Sequence, residues 1–207
     1  MSPSPPSIQS FMPTCYLCPF WQGGIAGRWR GERPGIRLRP AAEDDLAMFR
    51  RFAVEPGLVG LDWMGFRDAQ APARRFAVDG YLGEEDSRVI VEVDGTAAGF
   101  MSWSARGCGF SRYWEIGIAL LPDWRGRGVG WRAQGMLCDY LFTHTPAQRV
   151  EAATHPENIA EQKSLEKAAS RWRASCARWS SATASGATAG CTAGYGTIHL
   201  RWVSKRP

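Results

Sequence analysis

The 207-residue sequence predicts a mixed α/β domain. Three observations carry that prediction. Tyr113 to Phe142 opens with apolar, β-prone residues from Trp114 to Leu121 and breaks at Pro122-Asp123. It then turns through Arg125-Gly126-Arg127-Gly128-Val129-Gly130 and continues with Met136, Leu137, Tyr140 and Leu141 at helical spacing. Upstream, Arg88 to Asp94 and Ala97 to Ser104 read as two strands joined by an Asp94-Gly95 hairpin turn. The other segments switch between period-two and helical spacing, so the predicted order is β-α-α-β-β-β-α-β-α.

Each element has its own signal. Ile36-Arg37-Leu38-Arg39 alternates as a half-buried strand does. Ala41 to Val54 places Asp44 and Asp45 early and Leu46, Met48, Phe49 and Phe52 at helical spacing. Gly57 to Phe66 reads as an apolar loop containing Trp63 and Met64, and Ala73 to Tyr81 as a second helix. Cys108-Gly109 marks a turn before the central strand. Gln148 to Thr154 is a further strand, and Pro156-Glu157-Asn158 opens a helix expected to run to Lys167.

Net charge is +5, but the basicity belongs to the ends. Residues 36–168 hold 16 basic and 19 acidic groups, whereas residues 169–207 hold six basic groups and no acid. No basic face of the central domain suggests nucleic acid, and no apolar run reaches membrane-spanning length. The first 25 residues carry no Lys or Arg and do not make a secretory signal. Residues 1–35 are rich in proline, lack periodicity and are expected to be disordered or added upstream of the natural start. Cys15 and Cys18 have no second ligand pair at zinc spacing, so no metal is expected. The six cysteines suggest no disulfide framework, which points to the cytoplasm.

A strand, a glycine-rich turn and a helix make a phosphate-binding arrangement. Glycines allow positive φ and close approach, and the amides of the helix start face the anion. A P-loop would need Lys and a hydroxyl residue after its last glycine, where Trp131-Arg132 stands. A dinucleotide fingerprint would need its third glycine where Trp131 falls. The pattern Arg125-x-x-Gly128-x-Gly130 resembles the acyl-CoA pyrophosphate loop of the GNAT acetyltransferases. Asn158-Ile159-Ala160 and Leu165-Glu166-Lys167 fit that family's fourth helix. The resemblance covers residues 36–168 and is nearest to the branch containing ribosomal-protein N-terminal acetyltransferases.

The resemblance implies the GNAT acyl-CoA N-acyltransferase fold, a mixed, mostly antiparallel sheet with flanking helices. It implies acetyl-CoA as cosubstrate and a primary amine as acceptor, either a protein N-terminus or a small molecule, in a monomer or homodimer. Backbone N–H groups around Ile118, Ala119 and Leu120 would face the developing oxyanion and the pantetheine, and Arg125 to Gly130 the pyrophosphate. Glu115 is the candidate proton acceptor, or else an ion-paired strand residue. Asn158 is a CoA-proximal side chain or a helix N-cap. Trp103, Tyr113 and Trp114 line the acceptor cavity or belong to the core. Many relatives place a tyrosine acid where this chain has Leu165, so the leaving thiolate would take its proton from water.

After Ala168 the composition changes. From Ala169 to Thr197 there is no Leu, Ile, Val, Met or Phe, and the family's last two strands are expected to be missing or malformed. A low-complexity linker is one reading of this stretch, and a one-base shift in reading frame is another. Joining the last base of each codon to the first two of the next permits Gly-Phe from Ala169-Ser170. It permits Glu-Gly-Val-Leu over Arg173–Cys176 and Arg-Ala-Val-Val-Phe-Arg-Asp-Gly-Glu over Ala177–Ser185. Such segments are what the resemblance implies there. Residues 169–207 are therefore read as an out-of-frame tail.

Overall fold

A computed structural model describes residues 35–63, 65–107, 113–146, 148–179, 192–194 and 197–203. All the elements below belong to the unit Pro34–Pro207. The expected extension over residues 1–35 lies, but for Gly35, outside the described residues, as do Cys15, Cys18 and the turn at Cys108-Gly109.

Seven strands form one sheet in the order β1-β2-β3-β4-β5-β7-β6. They are β1 (Ile36–Arg39), β2 (Asp86–Val93), β3 (Thr96–Arg106), β4 (Tyr113–Leu120), β5 (Arg149–Thr154), β6 (Thr192–Gly194) and β7 (Thr197–Val203). Only β4 and β5 run parallel. The Asp94-Gly95 turn has φ of 48° and 82°, so both residues take the left-handed conformation that a two-residue hairpin needs. Arg39 on β1 reaches Glu92 at 2.7 Å and Asp45 at 2.7 Å, tying the first strand to the chain that enters the first helix.

Helices cover both faces. On one side lie α1 (Leu46–Val54), α2 (Pro56–Val59) and α3 (Ala71–Asp79). Their Met48, Phe49, Phe52 and Leu58 pack with Tyr81 and Ile90, and with Phe100 and Ala119 at the margin. On the other side lie α4 (Val129–His144) and α5 (Ile159–Trp179). Val129, Ala133, Leu137, Leu141 and Leu165 meet Val91, Val93, Met101, Ile116 and Val150 there. Each such side chain, fully buried, contributes about 1.5–3 kcal/mol. Gln134 is buried in this layer and is held by Ser164, which donates to its Oε1 at 3.0 Å, and by Glu161, which accepts from its Nε2. This polar link sets α4 against α5.

The tail departs from expectation in two places. The last helix does not end at Lys167 but runs on to Trp179. The alanines and arginines of residues 169–179 satisfy helix propensity, which needs no apolar face. β7 is a full seven-residue strand, paired with β5 from Arg149↔Val203 to Thr154↔Ile198. In the sequence, Ile198, Leu200 and Trp202 alternate with His199 and Arg201, a strand pattern that begins where the apolar-poor stretch stops. The last strand is thus present, against expectation, while β6 before it has only three residues.

Candidate functional site

Pro122–Trp124 forms one 3-10 turn after β4. Gly126 and Gly128 then take φ of 70° and 74°, the left-handed region that costs an L-residue energy and glycine almost none. Gly128 is the N-cap of α4 and offers no side chain to its first amides. A 16-residue helix thus begins with uncapped N–H groups in a glycine loop, the arrangement that accepts phosphate. A Cβ on Gly130 would lie 3.0 Å from Ser164 Oγ, so Gly130 permits the close crossing of α4 and α5. Val129 is fully buried and anchors the turn.

The two loop arginines differ. Arg125 turns inward: its Nε donates to Leu120 O at 2.9 Å and its Nη2 donates to Leu58 O. It ties the end of β4 to α2. Arg127 lies with its guanidinium 5.6 Å from the centre of the Trp124 ring.

β4 pairs with β3 along its whole length, Tyr113 to Leu120. Its pairing to β5 covers only Trp114, Glu115 and Ile116. From Gly117 onward the two parallel strands part, whereas β5 stays paired with β7 over its whole length, Arg149 to Thr154. Ile118, Ala119 and Leu120 lie along this opened edge, leading to the glycine loop. A split sheet edge can accept an extended amide chain as an added strand.

On the α1–α3 side of the sheet, beyond the packed aromatics, is a cavity of about 540 Å³. Its lining includes Asp86, Arg88, Ser102, Ser104, Arg106, Glu115 and Gly117. Strand register explains the gathering. Asp86, Ser104 and Glu115 are successive cross-strand partners, and so are Arg88, Ser102 and Gly117. Glu115 is half-buried, and Arg106 lies 3.5 Å from its Oε1. Gly117 keeps the floor clear; a Cβ there would come within 3.1 Å of Ser102 Oγ.

Other expected residues fall elsewhere. Trp103 is buried in the α4 layer, and Trp114 packs against the same cluster. Both belong to the cluster under α4, and neither lines the cavity. Tyr113 lies under the Arg149 guanidinium, 4.1 Å from its ring centre, outside the cavity lining. Leu165 is buried in the core. Asn158 Oδ1 accepts the Glu161 amide at 3.2 Å, the geometry of an N-cap.

Sequence reasoning missed Arg88, Ser102 and Ser104. A signal existed: Ser102 and Ser104 alternate with buried Met101 and Trp103, so β3 has a polar row on the face opposite its core. Among the described residues no cluster of His, Cys, Asp and Glu could hold a metal, and no helix is long and apolar enough to cross a membrane.

Residues 36–171 match the acetyltransferase (GNAT) domain family, and the chain belongs to it. No curated protein matches the sequence. Among solved structures, the chain is similar to the aminoglycoside acetyltransferase AAC(6')-Ib in complex with coenzyme A and kanamycin, at 17% identity and TM-score 0.56, covering 82% of this chain and 95% of that one. It is also similar to a spermidine N-acetyltransferase chimera from Vibrio cholerae and hSSAT, at 14% identity and TM-score 0.58, covering 81% and 95%. RimL, a ribosomal alpha-N-protein acetyltransferase in complex with coenzyme A, aligns at 13% identity and TM-score 0.57, covering 81% and 93%. At these identities the likeness is one of fold.

Proposed function

We propose that this chain transfers an acetyl group from acetyl-CoA to a primary amine, by direct attack of the amine on the thioester. The observation that carries the reading is the parting of β4 from β5 at Gly117, directly ahead of an uncapped glycine-loop helix start. These features suit the amide chain and pyrophosphate of coenzyme A, and the cavity beside Glu115 suits an acceptor. In this reading the α4 amides and the glycine loop hold pyrophosphate, with Arg127 adding charge. Arg125 serves the loop through the carbonyls it binds. Backbone N–H groups near Ile118 to Leu120 stabilise the developing oxyanion. Glu115 takes the amine proton directly or through water. Asn158 lies close to the coenzyme A while capping α5, and the thiolate is protonated by water. A thiol-release assay with acetyl-CoA and a panel of amines tests the reading; no release with any amine would contradict it.

Glu115→Gln should lower the rate at neutral pH and lose less at high pH, where more of the amine is already neutral. A pH–rate profile identical to that of the parent would remove Glu115 from proton transfer.

A second reading concerns the tail. We propose that residues from Ala169 onward are written in a shifted frame, leaving a catalytically impaired domain that at most binds acyl-CoA. What supports it is the apolar-poor stretch from Ala169 to Thr197, together with a β6 of only three residues. A chain with the frame restored from codon 169 would gain an apolar strand face, an increment of several kcal/mol. It should melt higher and turn over faster than the chain with the present tail. Equal melting and equal turnover would contradict the frame argument and leave β7 as a native part of the sheet.

A further inference from the structure

The cavity beside Glu115 holds a cation that the proposed chemistry does not use. Arg88 stands on β2, two strands from Gly117 in one cross-strand row, or about 10 Å at ordinary strand spacing. Its guanidinium carbon lies 5.5 Å from the Tyr81 ring centre and 5.4 Å from that of Phe100. These aromatic faces hold the group in place, yet they are weak partners for a cation compared with a carboxylate. Its Nε is buried and has no hydrogen-bond partner. The adjacent carboxylate is already engaged: Arg75 donates to Asp86 Oδ2 through Nη1 and to Asp86 O through Nη2. Glu115, the cavity's other strand carboxylate, faces Arg106.

A guanidinium keeps its charge at any ordinary pH, and a half-buried one without a hydrogen-bonded counter-charge is costly. Burial also pushes the Arg88 pKa down, a shift that the neighbouring Asp86 carboxylate only partly offsets. Arg88 lines the cavity, so a ligand there can bring a carboxylate to it. We propose that Arg88 selects the acceptor by binding a carboxylate that the amine substrate carries. This rests on the acetyltransferase reading above and narrows it. The acceptor is an amine that also carries an acidic group. It is not a polycation, although the lining carboxylates Glu85, Asp86 and Glu115 alone would favour one. The carboxylate can be that of a free amino acid or an acidic side chain next to a peptide N-terminus.

Two probe pairs separate these sources: glycine against glycinamide, and a short peptide beginning with Asp against the same peptide beginning with Asn. Each is titrated calorimetrically into the full chain with coenzyme A present, and each is also assayed for acetyl transfer. At least one anionic probe should bind about tenfold or more tighter than its neutral partner, as charge-assisted bonds to a guanidinium imply. Arg88→Gln should abolish that preference and Arg88→Lys keep part of it, while the affinity of the neutral probes stays unchanged. A merely structural role would weaken both members of a pair alike. Equal binding of both members, survival of the preference in Arg88→Gln, or tighter binding of spermidine than of any anionic probe would overturn the proposal. Anion preference without transfer to any probe would uphold Arg88 and count against the acetyltransferase reading. Transfer without anion preference would do the reverse.

Discussion

Gly99→Ala should destabilise the domain more than any other single-methyl addition to the sheet. Gly99 lies on β3 opposite Leu120, beside the irregularity at Val91/Glu92 where Ala98 falls outside the β2–β3 register. A Cβ at this position would lie 2.1 Å from Ala119 O and 2.8 Å from Leu120 Cα. Both obstacles are backbone, so no side-chain rotation relieves the clash. β3 and β4 must separate where the central strand carries Ala119 and Leu120. The expected cost is about 3 kcal/mol or more, a fall in thermal midpoint of roughly 6–12 °C for a chain of this size. Gly135→Ala supplies the contrast. It lies within α4, and a Cβ there would meet nothing within 4 Å, so the change should be neutral or stabilising by about 0.5–1 kcal/mol. Thermal unfolding of the two variants beside the parent checks both signs. A Gly99→Ala protein melting with the parent would contradict the close β3–β4 approach.

The parts of this molecule that the sequence made legible are those with few alternatives. Gly126 and Gly128 were readable because a glycine-rich turn between an apolar run and a helical run has one economical use, and their positive φ follows from it. The Asp94-Gly95 turn was readable for the same reason. Glu115 stood out as an acid inside an apolar strand. What escaped was decided by facing rather than by residue type. Trp103 and Trp114 are aromatic and adjacent to the site in sequence, but strand parity turns them into the α4 layer. Arg125 fits an anion-binding pattern, yet carbonyls at Leu58 and Leu120 claim its guanidinium. The Leu58 partner is 67 residues distant, beyond the reach of local pattern reading. Arg88 became visible only when register set it in one row with Ser102 and Gly117. The long α5 was missed because residues 169–179 were read as the start of an out-of-frame tail, whereas alanine and arginine are good helix formers.

Gly128→Asp should abolish tight acetyl-CoA binding without unfolding the domain. Gly128 sits at φ 74° immediately before the first turn of α4. A Cβ there would lie 3.1 Å from Trp131 Nε1, a crowding that the indole can relieve by a small shift. The carboxylate would occupy the space in front of the uncapped amides and repel a pyrophosphate brought to them. Affinity should fall at least about tenfold, or roughly 1.4 kcal/mol. Gly128→Asn separates charge from strain, since asparagine tolerates the left-handed region and carries no charge; it should retain most of the affinity.

Calorimetric titration of acetyl-CoA into the parent and into folded Gly128→Asp protein tests the central claim most directly, namely that the β4–α4 loop is the acyl-CoA site. The account predicts saturable one-site binding by the parent and at least a tenfold weaker isotherm for the variant. Equal affinity in the two proteins, or no binding by the parent, would contradict it.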